Sequence, residues 1–373
     1  MKFQSKIALI ALLFFSYTAT NAAQHTVSKD PNRVAQYTDL QLAIDDAANG
    51  DTILVYGATT NYGTINIYKP IVLIGEGYNP NIGLVTSIST MTLSRFNSTL
   101  SASESTIMGI NISTLNMSTS FTGSTFEQRV LENITIMRNN ISTMSIGGLS
   151  VPETLTNINF INNIFNSVIY MEYSATTEDN EDITFSNCIF SGGAYFYSGL
   201  SRSSGVLTDY SDLSNVKVYN SLLLNYESGF LRQAVGMVFE DNIFFGMELF
   251  QNDYAQITWN NNLFYLVDQT VDLLTNDNVG SGNLIDTNPL FTNYPATPAS
   301  FSYDHDYTLQ GGSPALTASV SGGEIGIYGG AYPFEVGANP PVPTITEVTI
   351  QDGTSSVPVG GTINFNFKAE SGN

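Results

Sequence analysis

Between Asn133 and Phe264 the chain repeats one short pattern of apolar and polar positions six times. The copies read N-I-T-I-M-R-N-N-I-S (Asn133 to Ser142), N-I-N-F-I-N-N-I-F (Asn157 to Phe165) and D-I-T-F-S-N-C-I-F (Asp182 to Phe190). They continue as N-V-K-V-Y-N-S-L-L (Asn215 to Leu223), G-M-V-F-E-D-N-I-F (Gly236 to Phe244) and Q-I-T-W-N-N-N-L-F (Gln256 to Phe264). In each copy two apolar residues stand two apart, such as Ile158 and Phe160, which places both on one face of a short strand. With one extra residue allowed before the Asn pair of the first copy, a polar column follows: Asn139, Asn162, Asn187, Asn220, Asp241 and Asn261. Asn tolerates left-handed backbone angles and bonds its own backbone in turns, so this column predicts a bend. The next column, Ile141, Ile164, Ile189, Leu222, Ile243 and Leu263, predicts the start of a second strand. The amides of Asn162, Asn187, Asn220 and Asn261 are expected to bond one another from copy to copy.

The first apolar residues of successive copies are separated by 24, 25, 33, 21 and 20 positions. That interval is too short for a strand-helix-strand unit of about 30 residues, and no helical periodicity fills it. A sandwich of hairpins would place turn signals every 8–12 residues or so, without one recurring nonapeptide. The interval fits one rung of a parallel β-solenoid, with rungs stacked at about 4.8 Å.

The flanks supply the ends of such a solenoid. Thr38 or Asp39 can cap a short helix whose Leu40, Ala43, Ile44 and Ala47 share one face, and Asn49-Gly50 stops it. An open first rung needs a cover, and this helix is placed to provide it. After it come G-D-T-I-L-V-Y-G (Gly50 to Gly57) and I-N-I-Y-K-P-I-V-L-I-G-E-G (Ile65 to Gly77), then less regular rungs at Ser87 to Leu93 and Ser105 to Ser113. Near the other end stand T-N-P-L-F-T-N (Thr287 to Asn293), D-Y-T-L-Q-G-G-S-P-A-L (Asp306 to Leu316) and E-I-G-I-Y-G-G (Glu324 to Gly330). These opening and closing segments resemble right-handed parallel β-helix proteins of the pectate lyase-like superfamily, in particular secreted Bacteroidetes-type members. The resemblance spans about Val34 to Phe334 and implies an all-β, right-handed parallel β-helix over residues 24–338, whose final turns would be the closing segments. It implies no single activity, because the superfamily holds lyases, hydrolases, esterases and non-catalytic surface proteins.

Beyond the solenoid, Asn339 to Pro343 forms a Pro-rich linker within a 339–373 tail. Two strand-like runs follow, Thr344 to Ile350 and Thr362 to Lys368, the second alternating Ile363, Phe365 and Phe367 with polar residues. Thirty residues cannot build a core of their own. Their apolar face is therefore expected to shield the final rung, or to serve self-association or the docking of a partner.

At the other terminus, Lys2 and Lys6, the apolar run Ile7 to Phe15 and the small residues Thr20 to Ala23 read as a signal peptide over residues 1–23, with no lipoprotein Cys near its end. The expected location is therefore extracellular or cell-surface. Of the 12 Lys and Arg, Lys2 and Lys6 fall in this leader, leaving 10 against 33 Asp and Glu and a net charge of −23. That balance disfavours nucleic acid and anionic membranes as partners. Cys188 is the chain's single cysteine, so no internal disulfide forms, and it reads as a small buried filler beside Asn187.

Candidate chemistry is sparse. The superfamily's lyases need a Lys or Arg base beside a bound cation, and its hydrolases a carboxylate cluster with G-H-G and R-I-K elements, which are absent here. Lys217 points outward from its strand and is the candidate base, against the simpler reading of a solvated surface Lys. His305 and His25 read as structural or exposed. The segment from Glu172 to Asp182 carries Glu172, Glu178, Asp179 and Glu181, oxygen ligands that would take Ca2+ although no EF-hand spacing is present. The insertion from Ala194 to Tyr210 carries Tyr195, Tyr197, Arg202, Asp209 and Tyr210, which would suit a polysaccharide: rings against sugar faces, polar groups to hydroxyls. The alternative is that these tyrosines pack back on their own rung. A non-catalytic polysaccharide-binding or display role is the expectation. A polysaccharide lyase or glycosidase acting in an outer groove is the alternative, to be favoured if two of Lys217, Arg202, Arg232 and the acidic segment share one groove.

Overall fold

The computed structural model describes residues 22–97, 99–118, 130–147, 154–172, 181–197, 213–226, 229–335, 344–350 and 365–370. It is a right-handed parallel β-helix. Among the described residues one sheet stacks 11 strands in parallel, from Gln24–Val27 through Thr154–Ile161 to Val279–Ser281. A second sheet holds 13 strands, and it branches. Its early strands, Ser87–Ser94, Asn111–Ser118 and Asn140–Gly147, run eight residues without a break. The next rung pairs with Asn140–Gly147 through two pieces, Ile164–Phe165 and Val168–Glu172, and both branches continue upward from there.

Register follows the sequence columns. Ile134, Ile158, Ile183 and Val216 lie opposite one another in adjacent strands, as do Ile136, Phe160, Phe185, Val218, Phe239 and Trp259. All are fully buried. Identical side chains one rung apart can only stack, so the interior becomes a column of rings. Phe160 and Phe185 lie 4.6 Å apart at 8°, Phe239 and Trp259 4.8 Å apart at 15°, and Phe244 and Phe264 4.7 Å apart at 15°. These offset stacks combine the burial of about 150–250 Å² per ring with favourable ring geometry.

One alignment is corrected. Asn140 pairs with Ile164 and Ile141 with Phe165, so all six copies match without a gap. Arg138, not Asn139, occupies the bend position of the first copy. The left-handed residues confirm this: Arg138, Asn162, Asn187, Asn220, Asp241 and Asn261 all have φ between 45 and 60°. A second left-handed column, at Asn133, Asn157, Asp182, Gly236 and Gln256, falls within or just before five strands of the first sheet.

The first rung is covered as expected. Asp39 caps helix Leu40–Asp46 by accepting the Leu42 amide, and Leu40, Ala43 and Ile44 are buried. Gln41 pairs with both backbone groups of Asn66 on the edge strand Thr64–Ile67, at 2.7 and 3.2 Å. Lys69 Nζ donates to the carbonyls of Asp45 and Ala47, satisfying the helix C-terminus.

The other end differs from the reading of closing rungs. The last parallel strand is Val279–Ser281. The segments from Thr287 to Gly330 add no rung. Phe291–Asn293 and Asp306–Leu309 form an antiparallel ribbon, and the chain then runs back along the side of the solenoid as a strap. In the tail, Thr344–Ile350 pairs antiparallel with Phe365–Glu370 as a two-stranded sheet of its own. Of the residues expected to shield the final rung, Ile363 lies outside the described residues, Phe365 is placed only by its backbone, and Phe367 is 67% exposed.

Candidate functional site

The two polar residues at each bend do opposite jobs. The second of each pair turns inward and builds the ladder expected of the first. Asn139 accepts the Ile110 amide and donates its own to Asn163 Oδ1 at 2.9 Å. Further along, the backbone amides of Cys188, Ser221, Asn242 and Asn262 donate to Ser221 Oγ, Asn242 Oδ1, Asn262 Oδ1 and Asn283 Oδ1, at 2.8 to 3.0 Å. Each side-chain amide also donates back into the preceding rung, Asn163 to Ile136 O, Asn242 to Val218 O and Asn262 to Phe239 O. Cys188 stands in this column, fully buried, with its thiol pushed up to about 12 by burial, so it is no nucleophile at neutral pH.

The first residue of each pair turns outward and holds the strap. Asn162 Nδ2 donates to Tyr332 O, Asn187 Nδ2 to Ile327 O and Gly329 O, and Asn261 Nδ2 to Ala318 O. Gly330 sits at φ +69°, against Asn220, where a Cβ would clash with its amide. Glu335, the last described residue of the strap, donates its amide to Asn162 and pairs its carboxylate with Arg138 at 2.8 Å. Beneath it, Phe291, Tyr307, Ile325, Ile327 and Phe334 form a second apolar cluster with the outward column Ile164, Ile189, Leu222, Ile243 and Leu263. This corner of the solenoid is therefore occupied by the chain itself.

Asp241 replaces Asn in the strap-holding column, accepting the Val320 amide at 2.9 Å. Burial pushes its carboxyl up to about 6. Between the ordinary Asp value and about pH 6, the folded chain keeps a proton that the unfolded chain has released. Stability therefore falls as pH rises through that window, and the whole penalty is present above it. Asp241→Asn keeps the acceptor and removes the charge. It should stabilise the fold at neutral pH by on the order of 1 kcal/mol once solvent screening is allowed for, seen as a higher thermal midpoint, and leave that midpoint unchanged near pH 4. Equal shifts at both pH values would contradict this account.

Among the described residues the candidates for chemistry do not share one groove. Lys217, on the first sheet, is ion-paired with Asp182 of the rung before, and that hydrogen bond raises its pKa, opposite to what a base requires. Arg232 lies on the second sheet. His25 binds Asp51 at 3.0 Å near the helical cap, and His305 lies 3.1 Å from Tyr307 Oη within the strap. Among the described residues no three His, Cys, Asp or Glu side chains form a metal-holding group. Of the proposed Ca2+ ligands, Glu178 and Asp179 lie outside the described residues. Glu172 and Glu181 are placed only by their backbone, ending strand Val168–Glu172 and beginning strand Glu181–Ser186.

A cluster does form on the outer branch of the second sheet. On strand Tyr195–Tyr197, Phe196 points into the core and Tyr195 and Tyr197 are half-buried on the outer side, Tyr195 packing against the interior cluster. Tyr197 lies opposite Tyr170 of the rung before, rings 5.8 Å apart at 82°. On the rung after, Arg232 lies opposite Tyr197 and places its guanidinium 3.9 Å from the centre of the Tyr195 ring. Arg202, Asp209 and Tyr210 lie outside the described residues. Tyr170 escaped the sequence reading because its strand falls beyond the repeated nonapeptide; aligning Val168, Ile169 and Tyr170 with Tyr195, Phe196 and Tyr197 would have found it.

Register extends this cluster into a column. Asn66, Thr92, Asn116, Ser145, Tyr170, Tyr197 and Arg232 stand opposite one another on successive strands. Beside it runs a column of Thr64, Thr90, Thr114 and Thr143. None of these residues belongs to the cluster under the strap. No helix among the described residues is long and apolar enough to cross a membrane. No protein-family model and no curated protein matches the chain.

Proposed function

We propose that this protein is a secreted or cell-surface β-helix, related to the pectate lyase-like superfamily, that binds polysaccharide without cleaving it. The observation that carries the reading is the outward group of Tyr170, Tyr195, Tyr197 and Arg232 on adjacent strands of a rigid sheet. Aromatic rings supply apolar area for sugar faces, and phenol and guanidinium groups bond sugar hydroxyls. The basic leader followed by an apolar run supports export. The pairing of Lys217 with Asp182, away from Arg232, supports a site without a base.

A Tyr170→Ala, Tyr197→Ala double variant should lose about tenfold in affinity for a bound polysaccharide, measured by affinity electrophoresis. Its unfolding midpoint should barely move, since both side chains are on the outer face. A variant that unfolds early yet binds normally would assign the tyrosines to packing instead.

A further inference from the structure

We infer that the ligand is a neutral, extended, linear glycan lying parallel to the solenoid axis along the column from Asn66 to Arg232. This rests on the polysaccharide reading and adds the shape, charge and direction of the ligand. The column contains one residue per rung, so its spacing is the strand spacing of about 4.8 Å, and its six steps cover about 29 Å. An extended β-linked chain of pyranose rings advances by nearly the same distance per sugar. Each rung can then meet one sugar, with alternate rings turned over, whereas a helical glycan drifts out of register after a turn.

The side chains fit that role. Asn66, Thr92, Asn116 and Ser145 present groups that both donate and accept, as sugar hydroxyls require, and none carries a charge. The Ser94 hydroxyl donates to Asn66 Oδ1 at 2.7 Å and fixes that amide. The parallel column of Thr64, Thr90, Thr114 and Thr143 lies two residues away along each strand, about 6.7 Å. Its β-branched side chains are stiff at χ1, so little freedom is lost on binding. Together the two columns make a strip about one sugar wide that leads onto the rings of Tyr170 and Tyr197.

Charge selects a neutral ligand. A chain at −21 repels a polyanion along its length, and the one cation of the column, Arg232, is stacked on Tyr195.

The probes are cello- and xylo-oligosaccharides of two to eight residues, with maltohexaose as the helical control, titrated calorimetrically against the full chain. Affinity for the β-linked series should rise with length up to about seven residues, one per rung of the column, should ignore salt, and should exceed that for maltohexaose. A Thr92→Val, Asn116→Leu variant should bind the octasaccharide about tenfold less tightly and a trisaccharide as the parent does. Affinity that levels off at two or three residues, or an octasaccharide indifferent to Thr92 and Asn116, would overturn the axial track while leaving a local tyrosine platform standing. Affinity that falls with salt would overturn the neutral ligand. Failure of every oligosaccharide to bind, with natural polysaccharides also failing, would remove the polysaccharide reading itself.

Discussion

Replacing Asn242 with Leu should cost about 2–5 kcal/mol of stability, far more than the same change at Asn260 on the outward side of its strand. Asn242 is fully buried; its Oδ1 accepts the Ser221 amide at 2.8 Å, and its Nδ2 donates to Val218 O and Asn262 Oδ1 at 2.9 and 3.0 Å. Leu has nearly the right volume, so the expense is not a cavity. It is the stranding of Ser221 N–H and Val218 O where no water reaches, at about 1–3 kcal/mol for each unpaired group. Asn260→Leu leaves no such group and should change stability by less than about 0.5 kcal/mol. Denaturant unfolding of the two variants makes the comparison. Equal losses would mean that the ladder is a consequence of stacking and adds nothing to it.

The ladder also shows what could be read from the chain and what could not. The period, the bend and the inward columns were legible because they depend only on side-chain alternation and on backbone angles that Asn tolerates. The directions of two adjacent Asn residues were not. At Asn162-Asn163 both are polar and both sit at the bend, yet Asn162 bonds Tyr332 O and Asn163 bonds Ile136 O. Which is which depends on the left-handed turn between strands and on a partner 170 residues away in sequence. The gap placed in the first copy had the same origin. Arg138 occupies a left-handed position at φ 53° that its residue type does not announce, held there by the stack and paired with Glu335. The tyrosine face was half legible: Tyr195 and Tyr197 were identified from composition, while Tyr170 and Arg232 joined them through register between strands distant in sequence.

One signal for the strap was present and went unread. Five copies end in two consecutive apolar residues, Ile164-Phe165, Ile189-Phe190, Leu222-Leu223, Ile243-Phe244 and Leu263-Phe264. Successive strand residues face opposite sides, so a consecutive pair means that both sides are covered. Phe165 and Phe190 face the solenoid interior, and Ile164 and Ile189 face the strap. The first copy has Asn140-Ile141 instead, with a polar residue on the outer side. The strap reaches its last described contact two positions before Asn140, at Arg138.

Loosening the strap should therefore be the most damaging change that leaves the solenoid interior untouched. Ile325 and Ile327 are 1% and 3% exposed and pack in the second cluster. Asp at both positions would bury two carboxylates with no cation beside them, at a cost of several kcal/mol unless the strap leaves. Release exposes Ile164, Ile189, Leu222, Ile243 and Leu263 as a continuous apolar stripe and strands the outward amides of Asn162 and Asn187. A stripe of that kind on a flat parallel sheet promotes association. The Ile325→Asp, Ile327→Asp variant should bind a hydrophobic dye, self-associate, and be cut by protease between Ile285 and Glu335, while a fragment ending near Asn283 retains β-rich circular dichroism. The inner ladder and the ring stacks lie wholly within that fragment, which is why it should survive. A variant that stays monomeric and protease-resistant would show that the corner is stable without its cover. Complete unfolding in a single step would instead make strap and solenoid one cooperative unit, and the outward Asn column as essential to the fold as the inward one.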